Sequence, residues 1–256
     1  MIDPAQALSG FIVGTIVGLT GVGGGALMTP ILVLLFGIHP ATAVGTDLLH
    51  AAITKSGGTY VHAKGSRVDW RITGLLAMGS LPAAVITLLS LHYFTGGLGD
   101  SKIITITLGV ALLLTAVSLA LRTCLKRWST KVPGPDVPRH PALTVVTGAL
   151  LGFVVSISSV GAGALGITAL FFLYPRLKAA RIVGSDLAHA VPLTLVSGLG
   201  HWLYGSVDWI LLLSLLVGSL PGIYIGSHFA GRVPETFLRF MLAAILLLVG
   251  SKLIAF

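Results

Sequence analysis

Charged residues are scarce in this sequence. Only 9% of its 256 residues are Asp, Glu, Lys or Arg, whereas 55% are hydrophobic. A soluble domain carries about 25% charged residues, because water must solvate its surface. This chain has too few charges to cover a water-facing globule, and no hydrophilic stretch is long enough for a second, soluble domain. We therefore predict that lipid surrounds most of the protein.

Other absences exclude particular kinds of site. Cys124 is the only cysteine in the sequence, which excludes a disulfide framework and a CxxC metal site. The first residues lack the basic region of a removable signal peptide, so we expect none. The net charge of +8 does not indicate a nucleic-acid partner, because the basic residues stand singly in short loops. No nucleophile–base arrangement, phosphate loop or HExxH motif is present, so we expect no cofactor and no enzymatic activity.

What the sequence does contain is an internal duplication. Residues 45–82 align without a gap on residues 184–221. The matches include GTDLLHA with its copy GSDLAHA, and the segments VDW and GSLP with identical copies. Upstream, after a small gap, VGGGAL at 22–27 meets VGAGAL at 160–165. A match of this length indicates two copies of one structural unit.

Each half of the chain consists of the same four apolar blocks, and a membrane-spanning helix needs about 20 such residues. The blocks cover residues 5–36, 40–62, 70–92 and 102–122 in the first half and 141–173, 178–201, 208–230 and 235–255 in the second. We therefore predict an all-α polytopic membrane protein. It has a transmembrane repeat over 1–122, a cytoplasmic linker rich in proline and charge over 123–140, and a second transmembrane repeat over 141–256.

The first block of each half is too long for one simple crossing, and glycines interrupt its middle. In the first half these are Gly21, Gly23, Gly24 and Gly25. Because glycine is a poor helix former, we predict two half-helices that meet at an unwound turn. Such a block either returns to the side from which it entered or crosses the membrane once with a break.

The basic residues favour the return. If both first blocks return, thirteen Lys and Arg residues lie on one side of the membrane and two on the other, whereas crossing blocks divide them nine against six. The first division follows the positive-inside rule far better. Each half then crosses an odd number of times, so the repeats are inverted, as in many secondary transporters. Both termini are expected on the non-cytoplasmic face of a bacterial inner membrane.

The repeated segments resemble those of the TauE/SafE sulfite-exporter family of permeases. The resemblance is carried by GLTGVGGGALMTP and its weaker copy SVGAGALG, by AVGTDLLHAA and VGSDLAHAVP, and by the GSVDW and GSLPG segments. It covers nearly the whole chain, and the two-copy arrangement is more specific than any single motif. The resemblance implies a polytopic permease for sulfur-containing anions such as sulfite, thiosulfate or sulfonates.

The two glycine-rich breaks are the first candidates for an anion site. An unwound segment inside a membrane is tolerated where it lines a cavity or is buried in protein. The N-terminal end of a half-helix offers free N–H groups and partial positive charge, which suit an anion. We expect oxyanion contacts from Gly23, Gly24, Gly25, Ser158, Ser159, Gly161 and Gly163. The alternative is that these glycines only allow close helix packing.

Ionisable residues recur at equivalent positions of the two repeats. The first set is Thr46, Asp47 and His50, and the second is Ser185, Asp186 and His189. An Asp and a His three positions apart share one helix face, and ionisable groups at membrane depth usually face a cavity or a partner. Both Asp–His pairs are therefore candidates for carrying a coupling proton, and Thr46 and Ser185 for contacting substrate. The alternative is that the pairs tie adjacent helices together.

Lys55 stands well inside a predicted span, and Thr194 occupies the equivalent position of the second repeat. Its ammonium group could neutralise a substrate anion, pair with Asp47, or extend towards the membrane interface. We include it among the substrate-binding candidates.

Three functions remain to be compared. The first is a proton-coupled permease for a small sulfur-containing anion, with its site near the bilayer midplane between the repeats. The second is a divalent-metal transporter that uses the Asp and His residues as ligands. The third is a membrane assembly factor without transport activity. The expected partners are the anion, protons and lipid, and a homodimer is compatible with the sequence.

Overall fold

A computed structural model describes residues 3–20, 25–94, 101–129, 141–229 and 235–255. These described residues form ten α-helices and no strand, which confirms the all-α prediction. The helices of the first half are α1 (Pro4–Thr20), α2 (Gly25–Leu34), α3 (Pro40–Lys64), α4 (Trp70–Phe94) and α5 (Ser101–Ser129). Those of the second half are α6 (Pro141–Ser158), α7 (Leu165–Leu173), α8 (Ala179–Leu203), α9 (Trp209–Phe229) and α10 (Glu235–Ala255).

The helices follow the predicted apolar blocks closely. The first block of each half contains two helices, α1 with α2 and α6 with α7, as the glycine interruptions predict. Residues 21–24 lie outside the described part of the chain, so the break of the second half is the one described. Helix α5 continues to Ser129, into the segment expected to be linker, and residues 130–140 are not described.

Six of the described helices are long and apolar enough to cross a membrane. These spans are Trp70–Tyr93, Lys102–Leu121, Pro141–Ser158, Ala179–Leu203, Trp209–Phe229 and Thr236–Ile254. Helix α3 has the same 25 residues in length as its counterpart α8, and a polar centre lowers its hydropathy. The protein is therefore a multi-pass membrane protein.

Glycines bring α1 and α9 into close contact along their length. A Cβ atom on Gly10 would lie 2.6 Å from the Leu215 carbonyl oxygen, and one on Gly14 would lie 2.5 Å from the Ser219 carbonyl oxygen. Because a later residue of α1 meets a later residue of α9, the two helices run in the same direction. Small residues allow such backbone approach in membrane helices, where van der Waals packing and hydrogen bonds drive association.

Helices α4 and α6 repeat this contact at equivalent positions. A Cβ atom on Gly148 would lie 2.2 Å from the Leu76 carbonyl oxygen, and one on Gly152 would lie 2.3 Å from the Ser80 carbonyl oxygen. The third apolar block of each repeat therefore packs against the first helix of the other repeat: α4 packs against α6, and α9 packs against α1. The duplication in the sequence is matched by a duplication of contacts.

Equivalent helices α3 and α8 run antiparallel where they meet. Gly198 of α8 packs against Leu49 of α3, whereas Gly58, further along α3, faces Leu187, which is earlier in α8. The middle of the contact therefore falls between Leu49 and Gly58 of α3.

The chain reverses direction between α6 and α7. Helix α6 runs parallel to α4. Helix α4 runs parallel to α8, because Asp69, just before α4, lies near Ser185 early in α8, and Leu88, late in α4, lies near Gly200 late in α8. Helix α7 is antiparallel to α8, since Gly166 contacts Asp186 across the short connection between them. The half-helices α6 and α7 therefore point in opposite directions, as a returning block requires.

Candidate functional site

The segment between α6 and α7 passes beside the centre of α3. Residues 159–164 are buried, and three of them have positive φ angles: Ser159 at 58°, Gly161 at 117° and Gly163 at 123°. Glycine adopts such angles at little cost, whereas serine at 159 must be held there by its surroundings. This irregular backbone is tolerated in a membrane protein because protein encloses it.

Four successive backbone N–H groups of this segment have no hydrogen-bond acceptor among the described residues. Within the described part of the chain, no acceptor is positioned for the N–H groups of residues 161–164. The next two, on Leu165 and Gly166, point back to the Gly161 carbonyl oxygen at 3.1 and 3.2 Å. Successive backbone N–H groups in such a turn can together bind an anion.

Lys55 places a cation beside these donors. Its side chain is 5% exposed, and its Nζ donates a hydrogen bond to the Ala162 carbonyl oxygen at 2.8 Å. The ammonium group has three donors, so this bond leaves others for a second acceptor. Thr194, the counterpart in the second repeat, instead donates to the Ala190 carbonyl oxygen of its own helix. The cationic contact is therefore a feature of one break and has no copy at position 194.

Asp47 holds the start of the same segment. Its Oδ2 accepts hydrogen bonds from Thr29 Oγ1 at 2.6 Å and from Ser159 Oγ at 2.9 Å, and its side chain is fully buried. The distance from its Oδ1 to His50 Nδ1 is 3.6 Å, which is too long for a hydrogen bond. Asp47 thus connects α2 and α3 to the irregular residue Ser159.

The two histidines bind serines of the opposite repeat in the same way. His50 Nε2 lies 2.8 Å from Ser219 Oγ, and His189 Nε2 lies 2.7 Å from Ser80 Oγ. Both pairs are buried, and in neither histidine does Nδ1 have a hydrogen-bond partner among the described residues. The first bond joins α3 to α9 of the other repeat, and the second joins α8 to α4 of the other repeat.

Asp186 of α8 lies beside the first turn of α7. Its carboxylate occupies the space beside Gly166, where an added Cβ atom would come within 1.9 Å of Oδ1. The Lys55 ammonium group lies at Ala162 and the Asp47 carboxylate at Ser159, so both are near the same segment as Asp186. One buried cation therefore faces two buried carboxylates along the segment that joins α6 to α7.

The antiparallel contact of α3 and α8 separates the two Asp–His pairs in depth. Asp47 and His50 lie on one side of the middle of that contact, and Asp186 and His189 lie on the other. Lys55 lies between them, close to the middle. The pairs are equivalent in sequence, but they reach different parts of the irregular segment.

Thr46 and Ser185 are directed to loops rather than to the break. Thr46 Oγ1 accepts a hydrogen bond from the Asp208 N–H at 3.1 Å, and Ser185 Oγ accepts one from the Asp69 N–H at 2.8 Å. In turn, the carboxylates of Asp69 and Asp208 accept N–H bonds from the first residues of α4 and α9. These equivalent contacts fix the start of each helix.

The other predicted residues have mixed positions. Ser158 Oγ bonds to the carbonyl oxygen of Val154 and accepts the N–H of Val160, so it closes the end of α6. Gly23 and Gly24 lie outside the described residues, and Gly25 begins α2.

Sequence reasoning missed Thr29, Ser80 and Ser219 as partners of the ionisable residues. The two serines lie in the duplicated GSLP segment, which is the one signal that singles them out.

A multi-pass helical protein with a broken helix and an enclosed charged centre has the features of a membrane transporter. The sequence profile of the family described as "Sulfite exporter TauE/SafE" matches residues 6–253. The chain belongs to this family, as its repeated segments predict, and it is a membrane transporter.

Relatives of the chain are membrane transporters by name. It is 40% identical to "Probable membrane transporter protein YjnA" of Bacillus subtilis, over 96% of this chain and 98% of the relative. It is 28% identical to YdhB of the same species, over 90% and 91%. "Probable membrane transporter protein MJ0441" of Methanocaldococcus jannaschii is also 28% identical, over 96% and 93%. No solved structure matches the chain significantly.

Proposed function

We propose that this protein is a secondary transporter of a small sulfur-containing anion, which binds where the α6–α7 segment meets Lys55. The main support is the set of four N–H groups over residues 161–164, for which the described residues offer no acceptor, next to a buried ammonium group. Backbone N–H donors and a cation together suit an oxyanion such as sulfite, thiosulfate or an organosulfonate. The family description favours sulfite among these.

We also infer that the two repeats are inverted in the membrane. Equivalent helices α3 and α8 run antiparallel at their contact, and α6 and α7 form a returning pair. A twofold axis in the membrane plane relates repeats of this kind, and the anion site then lies near the midplane. The thirteen-to-two division of basic residues orients the protein with both termini on the non-cytoplasmic face of the inner membrane.

A proton is the coupling ion in this proposal. The enclosed centre contains two carboxylates, Asp47 and Asp186, and one ammonium group, so an added anion needs a compensating positive charge. His50 and His189 stand three residues after the two aspartates on the same helices, and an imidazole ring can take up and release a proton. The pairs Asp47–His50 and Asp186–His189 are therefore proposed to carry the proton that accompanies the anion.

The site favours an anion over a divalent metal ion. Among the described residues, no group of three or more His, Cys, Asp and Glu side chains is arranged to hold a metal ion. Lys55 and the N–H groups of the break would also repel a cation. A non-transporting assembly factor has no need for such a centre inside the protein.

Uptake into proteoliposomes tests the proposal. We expect saturable uptake of radiolabelled sulfite or thiosulfate, stronger with an inward proton gradient, and no uptake of labelled Zn²⁺. Lys55→Met should abolish anion uptake, whereas Lys55→Arg keeps the charge and should retain part of it. Zn²⁺ uptake without anion uptake would support the metal alternative. No uptake of any of these by correctly folded protein would contradict a transport function for this substrate class.

A further inference from the structure

We propose that the junction between the α3–α4 connection and the start of α8 binds the headgroup of an anionic phospholipid. This junction presents five exposed basic side chains, which we call the basic cluster: Lys64, Arg67, Arg71, Lys178 and Arg181. The lipid site is separate from the enclosed anion site and does not depend on it.

Direct contacts hold the two segments of the basic cluster together. The Asp69 N–H donates a hydrogen bond to Ser185 Oγ at 2.8 Å, and a Cβ atom on Gly184 would lie 2.1 Å from the Arg67 carbonyl oxygen. Asp69 Oδ2 also lies 3.5 Å from Arg181 Nη2. Cations from two distant parts of the chain therefore converge around one carboxylate.

The second repeat builds the same junction between the α8–α9 connection and the start of α3. Arg67 and Ser206, at equivalent positions, each donate the backbone N–H to the carbonyl oxygen of the histidine five residues earlier, at 2.9 and 2.8 Å. A Cβ atom on Gly45 would lie 2.2 Å from the Ser206 carbonyl oxygen, just as one on Gly184 would meet Arg67. The bond between a hydroxyl group and the N–H that precedes α4 is likewise repeated before α9.

The two junctions differ in charge and share their architecture. The residues equivalent to the basic cluster, in the same order, are Leu203, Ser206, Ile210, His39 and Thr42. None of them is lysine or arginine. Because the same backbone contacts form without these cations, the basic cluster is not needed to build the junction, and its charge is available for a partner.

Most of the charge in the basic cluster has no counter-charge. Within the described ranges, Asp69 is the one acidic residue in ion-pair contact with the cluster, through Arg181. The other carboxylate oxygen of Asp69 accepts N–H bonds from the first turn of α4. Four exposed cations remain. The guanidinium groups of Arg67 and Arg71 can each bind a phosphate group through two parallel hydrogen bonds.

The surface beside the basic cluster suits a lipid better than a free anion. Trp70, next to Arg71, is 64% exposed, and tryptophan is typical of the interface between membrane and water. One turn further along α4, a Cβ atom on Gly74 would meet nothing within 4 Å, and Met78 in the following turn is 68% exposed. This open apolar face leaves room for an acyl chain below a phosphate held by the cluster. Basic residues at this depth attract anionic lipids.

Native mass spectrometry of the purified full chain in a neutral detergent tests the lipid site. The probes are phosphatidylglycerol and the zwitterionic phosphatidylcholine with the same acyl chains. The wild-type protein should prefer phosphatidylglycerol by at least about twentyfold, since each cation near a lipid surface contributes about fivefold. Arg67→Gln combined with Arg71→Gln should lose most of this preference, and its binding of phosphatidylcholine should not change.

The matched control removes the same charge from another segment on the same predicted side of the membrane. Lys126→Gln combined with Arg127→Gln, near the end of α5, should keep the wild-type preference. Each double variant leaves eleven basic residues on the side that has thirteen, so the positive-inside orientation is retained in both. The comparison therefore separates a lipid site from a general effect of charge.

Two further variants test the site if the arginine variant does not fold. Lys64→Gln combined with Lys178→Gln changes two exposed side chains and should also weaken phosphatidylglycerol binding by about twentyfold. His39→Lys combined with Ile210→Arg places cations at the exposed equivalent positions of the other junction. This variant should bind one more phosphatidylglycerol molecule than the wild-type protein.

The inference is overturned if the wild-type protein binds both lipids equally, or if the arginine variant and its control weaken binding to the same extent. Displacement of phosphatidylglycerol by sodium phosphate, beyond that caused by sodium chloride at the same ionic strength, would also overturn it, because the ligand would then be a free anion.

Discussion

Replacing Gly152 by alanine should separate α4 from α6 and weaken the contact that positions His189. The added Cβ atom would lie 2.3 Å from the Ser80 carbonyl oxygen and 2.8 Å from Ser80 Cα. Both are backbone atoms, so a side-chain rotation cannot relieve the clash. An ordinary contact needs roughly 3.4 Å, so the helices must move apart by about 1 Å at this point. Ser80 Oγ, which lies 2.7 Å from His189 Nε2, moves with its helix.

The expected cost follows from these distances. Overpacking a close contact typically costs about 1–3 kcal/mol, and a weakened buried hydrogen bond adds about 1 kcal/mol. For a chain of this size, about 1 kcal/mol corresponds to a change of about 2–4 °C in melting temperature. Gly14→Ala is the equivalent change in the other repeat, since its Cβ atom would lie 2.5 Å from the Ser219 carbonyl oxygen. Both variants should therefore melt several degrees below the wild-type protein.

Thermal unfolding in detergent, followed by intrinsic tryptophan fluorescence, measures this effect. Gly74→Ala is the matched control, because it lies in α4 and its Cβ atom would meet nothing within 4 Å. It should melt at or slightly above the wild-type temperature, since alanine is the better helix former. An unchanged melting temperature for Gly152→Ala, with the control also unchanged, would refute the packing described for α4 and α6.

Three further predictions concern transport and topology. His50→Gln and His189→Gln keep hydrogen-bonding capacity but cannot take up a proton, so anion exchange at equal concentrations should survive while accumulation driven by a pH gradient fails. Retained accumulation in both variants would exclude the histidines from coupling. Gly161→Ala should lower anion uptake without preventing membrane insertion, because a φ of 117° strains any residue with a side chain. Normal uptake by this variant would count against this break as the anion site. His39 and Lys178 are exposed and equivalent in the two repeats. Single cysteines introduced there, in a Cys124→Ala background, should be labelled from opposite sides of the membrane. Labelling of both from the same side would contradict the inverted arrangement.

The helices were predictable because their signals are local. Seven of the eight predicted apolar blocks agree with the observed helices to within a few residues, and the exception is α5, which continues past residue 122 to Ser129. The Lys and Arg residues after residue 122 mark the end of a span at the membrane surface, which made this sequence resemble a loop. They are also good helix formers, so the helix continues beyond the span. The glycine-rich break between α6 and α7 was predictable for the same reason, since its sequence disfavours helix at that point.

The partners of the buried polar groups were not predictable, because they come from distant parts of the chain. Ser80 and Ser219 become partners of His189 and His50 only when each repeat docks its third block beside the other repeat. Thr46 was expected at the substrate, but the same docking brings it to the loop before α9. The sequence placed Lys55 correctly inside a span, whereas its bond to the Ala162 carbonyl oxygen depends on the return of α7.

The central claim is that an anion binds between Lys55 and the N–H groups of residues 161–164. A crystal structure of the protein with selenite, an analogue of sulfite that scatters anomalously, tests it most directly. We expect an anomalous peak within hydrogen-bonding reach of Lys55 Nζ and of the segment between α6 and α7, and its loss in Lys55→Met. A well-ordered peak elsewhere in the protein, unaffected by Lys55→Met, would contradict the account.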